Sequence, residues 1–273
     1  MAPTPMDRCA LDFPHAGISG DDLHEHLRAL ATRLGLDGEA LLRESQVIHI
    51  PLGREGGTAA MLRAHRNDTS LERVLRPEMR RDLYGLLAHR AWDARGGAAQ
   101  LLDIGAHIGL SALLFVALHP AARVFAFEPA AINFFYLAWN VAANNVSASV
   151  MLRHAGLSSG GLPMAFEYSP DDSTSSTGTA YGRAFGKLPV QRRVARTLSL
   201  AELIGTCGVR NVTLVKLDCE GAFALRAAYN TGPSLAISSP FLACCMRGHR
   251  AIVCSSSLTD THAPRPRAPA RRL

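Results

Sequence analysis

The stretch LLDIGAHIGLSALLFVALHPAARVFAFEP, residues 101–129, holds two apolar runs, each closed by an acidic residue, Asp103 and Glu128, with Gly105 and Gly109 just after the first. Each run is short enough for a buried strand, and the apolar segment between them is long enough for a helix. Continuing outward, the pattern gives strand 100–104, helix 109–118, strand 123–127, helix 131–144 and strand 149–154. Such βαβαβ order implies parallel strands with helices on both faces, so the fold class is α/β, a doubly wound, mostly parallel, Rossmann-like sheet. Ligands of such sheets bind beyond the carboxyl ends of the strands, at the switch in strand order. Asp103, Gly105, Glu128 and Asp218 are thereby expected on one edge. Glycine at 105 lets the backbone turn sharply beside a ligand, and glycine at 109 lets the helix start pack closely.

The type of ligand follows from what the loop lacks. A dinucleotide loop reads Gly-x-Gly-x-x-Gly, so that backbone amides and a helix N-terminus hold a pyrophosphate. Here the pattern is Asp-x-Gly-x-x-x-Gly, with His107 at the middle glycine's place and an acid at 103. An acidic loop suits ammonium and sulfonium charge better than diphosphate, which favours S-adenosyl-L-methionine over NAD. A carboxylate at the end of the second strand, Glu128, is placed to accept hydrogen bonds from a ribose diol.

Five blocks, DIGAHIGLS, FAFEP with INFFYLAWNVAANNV, HAGLSSGG, RTLSLAELI and VKLDCEG, together resemble the FkbM-type methyltransferases, a branch of the class I S-adenosylmethionine-dependent enzymes. The resemblance covers about residues 99–223. It implies methyl transfer to an oxygen, usually a hydroxyl on a sugar or secondary metabolite. It also implies a cofactor loop of Asp103, Gly105, Ala106, His107 and Gly109, a ribose contact at Glu128, Asn133 in the helix that follows, and a Lys-x-Asp-x-Glu-Gly block at Lys216, Asp218 and Glu220. His107 stands where the family usually has Asn. Lys216, Asp218 and Glu220 alternate, so they share one face if the strand continues through 220. Three ionisable groups on a run otherwise suited to burial are costly as packing. Asp218 or Glu220 is therefore the candidate general base or acceptor-positioning group, with Lys216 as its partner; the alternative is an ion-paired cluster closing the sheet edge.

The rest of the 273 residues bounds these readings. At 48% hydrophobic and 19% charged the chain has a globular composition. The formal charge is +6, but the basic residues, all Arg except Lys187 and Lys216, are scattered rather than clustered, which argues against a nucleic-acid partner, while the resemblance implies a small-molecule or glycan acceptor. Six cysteines without metal-ligand spacing read as free thiols in a reducing compartment. With no apolar leader and no run long enough to span a bilayer, the default compartment is cytoplasmic.

Residues 1–95 are expected to form a helical lead, with a helix over 20–43 capped at Asp21 or Asp22, a strand at 47–52 and a helix over 70–92. The methyltransferase domain is expected over 96–240. Within it, 163–169 and 188–196 read as a hairpin or flap around a Ser/Thr/Gly-rich tip, 198–205 as a short helix and 211–218 as a buried strand. His154 is expected as an adenine or substrate contact or as a satisfied structural histidine, and the aromatic run 134–139 as core. After Gly221 the patterned sequence stops, so the last strands of the sheet are expected to be incomplete and 241–273, rich in Ser, Pro and Arg, to be irregular or disordered. This break fits a shortened C-terminal half or an altered reading of the gene after about residue 223. Two further readings differ in class: an inactive nucleoside-binding or interaction module, and an NAD-binding oxidoreductase.

Overall fold

A computed structural model describes residues 20–51, 59–68, 99–158, 160–169, 172–178, 191–199, 202, 214–217 and 252–254. The expected helix over 70–92, and the stretch 218–251, lie outside the described residues.

The strands read from 101–129 and its flanks form one parallel sheet. In chain order they are β3 (Gln100–Ile104), β4 (Arg123–Phe127), β5 (Val150–Arg153), β11 (Leu214–Leu217) and β12 (Ile252–Cys254). Across the sheet they lie β12-β11-β3-β4-β5, with every pair parallel. The chain therefore runs outward from β3 to β5, then returns to the other side of β3, and the order reverses between β3 and β11. That reversal is where a doubly wound sheet opens a crevice at its carboxyl ends. Strand β12 comes from the IVC segment, beyond residue 240.

Helix α3 (Leu110–Leu118) follows β3, and α4 (Ala131–Ala143) follows β4. Leu110 through Val116 are all buried, and LSALLFVAL has no polar face. A helix apolar all round needs cover on two sides. The sheet supplies one, with α3 packing on β3 and β4, and the N-terminal segment supplies the other.

That segment is more than a helical lead. After α1 (Gly20–Leu34) and α2 (Gly38–Arg43) comes an antiparallel hairpin, β1 (Ser45–Pro51) with β2 (Ala59–His65). The single helix expected over 20–43 is broken at Gly35, whose φ is +69°, and restarts at Asp37, whose side chain accepts a hydrogen bond from Ala40 N. Helix α1 begins at Gly20, so Asp21 and Asp22 lie within its first turn rather than at its cap. Strand β2 lies against α3 and α4, and α1 against α4. Leu27, Leu30 and Leu62 consequently share one core with Leu101, Ile108, Phe115, Phe134 and Phe135. The aromatic run belongs to that core: Trp139, 2% exposed, stacks on Tyr136.

The flap is a three-stranded antiparallel sheet in the order β8-β7-β9, from β7 (Met164–Ser169), β8 (Asp172–Gly178) and β9 (Gln191–Ala195). Residues 172–178, expected in the mobile tip, are thus a strand paired to β7. Two short parallel strands, β6 (Gly156–Leu157) and β10 (Thr197–Leu198), tie the flap's exit to the end of β5. Of the short helix expected over 198–205, Leu198 is in β10 and Glu202 is helical; the residues between and beyond, apart from Ser199, lie outside the described residues. Ser199 and Glu202 form a capping box, with Ser199 N and Oγ both donating to Glu202 Oε2 at 2.8 Å.

Candidate functional site

Asp103 is the last but one residue of β3, and its register partner across the strand-order reversal is Lys216 of β11. Register partners in a parallel pair point to the same face. Lys216 Nζ donates to Asp103 Oδ1 at 2.9 Å and to the Gly105 carbonyl at 2.8 Å. Ser111 Oγ, in the first turn of α3, donates to Asp103 Oδ2 at 2.5 Å. The Asp103 and Lys216 side chains are 0% and 4% exposed, so this is a buried ion pair with both carboxylate oxygens engaged. The Asp103 carboxylate, expected in the cofactor loop, is directed to Lys216 and Ser111 inside the sheet. What Asp103 and Lys216 do together is hold the turn at Gly105.

The loop from 104 to 110 is built from left-handed backbone. Gly105, His107 and Gly109 have φ of 76°, 55° and 96°. Both Gly105 N and Ala106 N donate to the Phe127 carbonyl at the end of β4, which draws the loop across the neighbouring strand. His107 is the non-glycine residue in this left-handed set, a conformation that side chains other than Asn, Asp and His enter rarely. At Gly109 a Cβ would sit 2.8 Å from Leu137 Cδ1 in α4, so glycine is needed there both for its φ and for the approach of the two helices.

Glu128 closes β4 and is 4% exposed. Its Oε2 accepts from His107 N and its Oε1 from Ala130 N, each at 2.9 Å, and Asn133 also donates to it. Burial raises its pKa from 4.5 to about 7, opposed by those hydrogen bonds and by the charge of Lys216. The second acid of the opening stretch thus holds the far side of the same loop, answered chiefly by dipoles.

His154, after β5, has Nε2 3.1 Å from the Pro129 carbonyl and its ring 5.1 Å from that of Phe134. It cross-links the ends of β4 and β5, as a structural histidine does. Asp218 and Glu220 lie outside the described residues. Lys216, expected to act beside them, is directed to Asp103 and the loop.

Three polar side chains in α4 complete the site's surroundings, and only Asn133 was singled out from sequence. Asn140, fully buried, donates through Nδ2 to the Ile108 carbonyl at 2.8 Å. Asn144 caps the helix's C-terminal end and reaches β2. The available signal was the cost of burying amides on a helix otherwise filled with Phe, Tyr, Leu and Trp. Asn133 and Asn140 are seven residues apart, two turns along one face.

A sheet ordered 3-2-1-4-5 from β3, with a glycine loop after its first strand and an acid ending its second, is the Rossmann-like arrangement of class I methyltransferases. Residues 103–222 match the model of the Methyltransferase FkbM domain. The chain is 35% identical over 77 residues to methyltransferase sdnD of Sordaria araneosa, covering 28% of this chain and 30% of that protein, less than a third of its length. Among solved structures it resembles methyltransferase FkbM from Methylobacillus flagellatus KT (17% identity, TM-score 0.32, 48% of this chain and 29% of that one). It also resembles the N-terminal domain of human METTL16 in complex with SAH (18% identity, TM-score 0.24, 51% and 48%). At such scores the fold assignment rests on the strand order itself.

Proposed function

We propose that the chain is an S-adenosylmethionine-dependent methyltransferase acting on a hydroxyl oxygen of a sugar or secondary metabolite. The observation that carries this reading is Glu128: a buried carboxylate ending the second strand and bonded to the His107 amide of a left-handed glycine loop. The donor set fits the cofactor. A carboxylate offers about four lone-pair directions. Three are engaged by His107 N, Ala130 N and Asn133, and the fourth suits a ribose hydroxyl. The family of residues 103–222 supports the same reading.

When bound, the cofactor supplies an electrophilic methyl group on a sulfonium. Asp103 and Lys216 keep the Gly105 turn in place, and Glu128 accepts from the ribose. The acceptor oxygen gains the methyl and must lose its proton. Asp218 or Glu220 takes that proton, from a position two or four residues past Lys216 on the same run. Alignment of acceptor and methyl is the larger task, since orientation lowers such barriers more than proton transfer alone.

Calorimetry of the whole chain with S-adenosylmethionine, S-adenosylhomocysteine and NAD tests the cofactor reading. Binding of the first two and not of NAD is expected. NAD binding alone would establish an oxidoreductase, and binding of none by folded protein an interaction module. With an acceptor in hand, Asp218→Ala or Glu220→Ala should lower turnover by about 10²–10⁴-fold; full turnover in both would remove the general-base assignment.

A further inference from the structure

The N-terminal hairpin meets α4 through two amides. Asn140 Oδ1 accepts from Arg63 N at 2.6 Å, and its Nδ2 donates to Arg63 O at 3.0 Å. Asn144 repeats the pairing two residues along β2, with Oδ1 on Met61 N at 2.9 Å and Nδ2 on Met61 O at 2.7 Å. The spacing explains the match: four helical residues rise about 6 Å, and two strand residues advance about 6.8 Å. Two side-chain amides of a helix thus substitute for a neighbouring strand and satisfy the outer edge of β2. An edge left open there would be a pairing hazard.

The two amides differ in one respect. Besides Arg63, Asn140 Nδ2 also donates to the Ile108 carbonyl at 2.8 Å, between left-handed His107 and Gly109. Asn144 donates instead to the Asn140 carbonyl within the helix. One fully buried side chain therefore holds β2 on one side and the glycine loop on the other. Ile108 is itself 0% exposed, so its carbonyl has no exchange with water to fall back on.

We propose that Asn140 is a positioning residue for the cofactor loop, and that through it docking of the β1–β2 hairpin and occupancy of the loop are coupled. This rests on the cofactor reading above for the identity of the ligand, but not for the clamp. By linkage, whatever stabilises the loop conformation must stabilise the docked hairpin equally.

The test compares Asn140→Ala with Asn144→Ala in the full chain. Each removes one hairpin pairing, and only the first releases Ile108. S-adenosylhomocysteine affinity should fall about tenfold in Asn140→Ala, the equivalent of one buried hydrogen bond, and stay within about twofold of wild type in Asn144→Ala. Amide hydrogen exchange of the loop segment 105–110 should accelerate in the first variant and not in the second, with or without ligand. If Asn140→Ala does not fold, Asn140→Ser, which keeps a polar group but lacks the reach, replaces it. Equal effects of the two variants on affinity and exchange would overturn the proposal. Failure of wild type to bind S-adenosylhomocysteine would overturn the cofactor reading instead, and the exchange comparison would still decide the clamp.

Discussion

Replacing Lys216 by Met separates a structural role for this side chain from a catalytic one. The substitution keeps the length of the chain and removes Nζ, which makes two hydrogen bonds, to Asp103 Oδ1 and to the Gly105 carbonyl. Asp103 cannot turn to water, because it is 0% exposed and its other oxygen is engaged by Ser111. Removing one member of a buried ion pair leaves the other charge uncompensated, at a cost of about 3–5 kcal/mol. The orphaned carbonyl adds about 1 kcal/mol. Against a total of about 5–15 kcal/mol for a domain, Lys216→Met alone should remove about a quarter or more of the stability. Removing the charge at the other end should relieve much of this. In Asp103→Asn/Lys216→Met nothing charged is left buried, and the double variant should be more stable than Lys216→Met by at least about 2 kcal/mol. Urea unfolding of wild type, both single variants and the double variant measures the cycle. A loss below about 1 kcal/mol in Lys216→Met with coupling below about 0.5 kcal/mol would refute the buried-pair argument. Unchanged stability with lost turnover would place Lys216 beside Asp218 as the alternation of charges first suggested.

Glu128 makes a pH prediction. Its folded pKa of about 7 lies above the ordinary 4.5, so the folded chain binds this proton more tightly than the unfolded one. Its contribution therefore makes stability fall as pH rises from about 4.5 to about 7, by up to about 3 kcal/mol, and a Glu128→Gln variant should lose that slope in urea midpoints. Cofactor affinity should run the other way, strengthening as pH passes about 7 and the carboxylate becomes the better acceptor; an identical pH profile in Glu128→Gln would refute both halves. Gly109→Ala places a Cβ 2.8 Å from Leu137 Cδ1 at φ +96°, and should cost about 2 kcal/mol in chemical unfolding. At His107, φ 55°, Asn should be neutral or slightly stabilising and Val destabilising by about 1–2 kcal/mol, read as a shift in Tm.

What could be read from the chain and what could not divide along a physical line. Strand ends, loop glycines and the aromatic core of α4 are local: the residue type itself carries the demand, as glycine does where φ is positive. The partners of those residues are not local. Lys216 lies 113 residues from Asp103, and only strand register reveals that it faces Asp103 and the loop. Strand β8 was hidden because DSTSSTG has the composition of a loop, although its middle threonine and serines tolerate extended backbone when β7 offers an edge. The first strand of the N-terminal hairpin was legible at 47–52, but its partner β2 was not, because its outer edge is satisfied by Asn140 and Asn144 of a distant helix end rather than by a third strand.

The most instructive case is the pair of acids in the opening stretch. Asp103 and Glu128 end successive parallel strands, both are buried, and both bind the same loop. Their surroundings differ in what answers the carboxylate. Asp103 lies beside β11, which brings a full positive charge into contact; Glu128 lies beside β5 and is met first by backbone amides and an asparagine. A carboxylate answered by a cation and a hydroxyl serves as a fixed strut. One answered by dipoles against the cost of burial sits near neutrality in its proton equilibrium, so it can respond to a ligand that donates hydrogen bonds. The strand-order reversal thus separates the two acids: the one at the crevice is tied across it to Lys216 and the loop, and the one a strand away keeps the acceptor capacity that the proposed ribose contact would use.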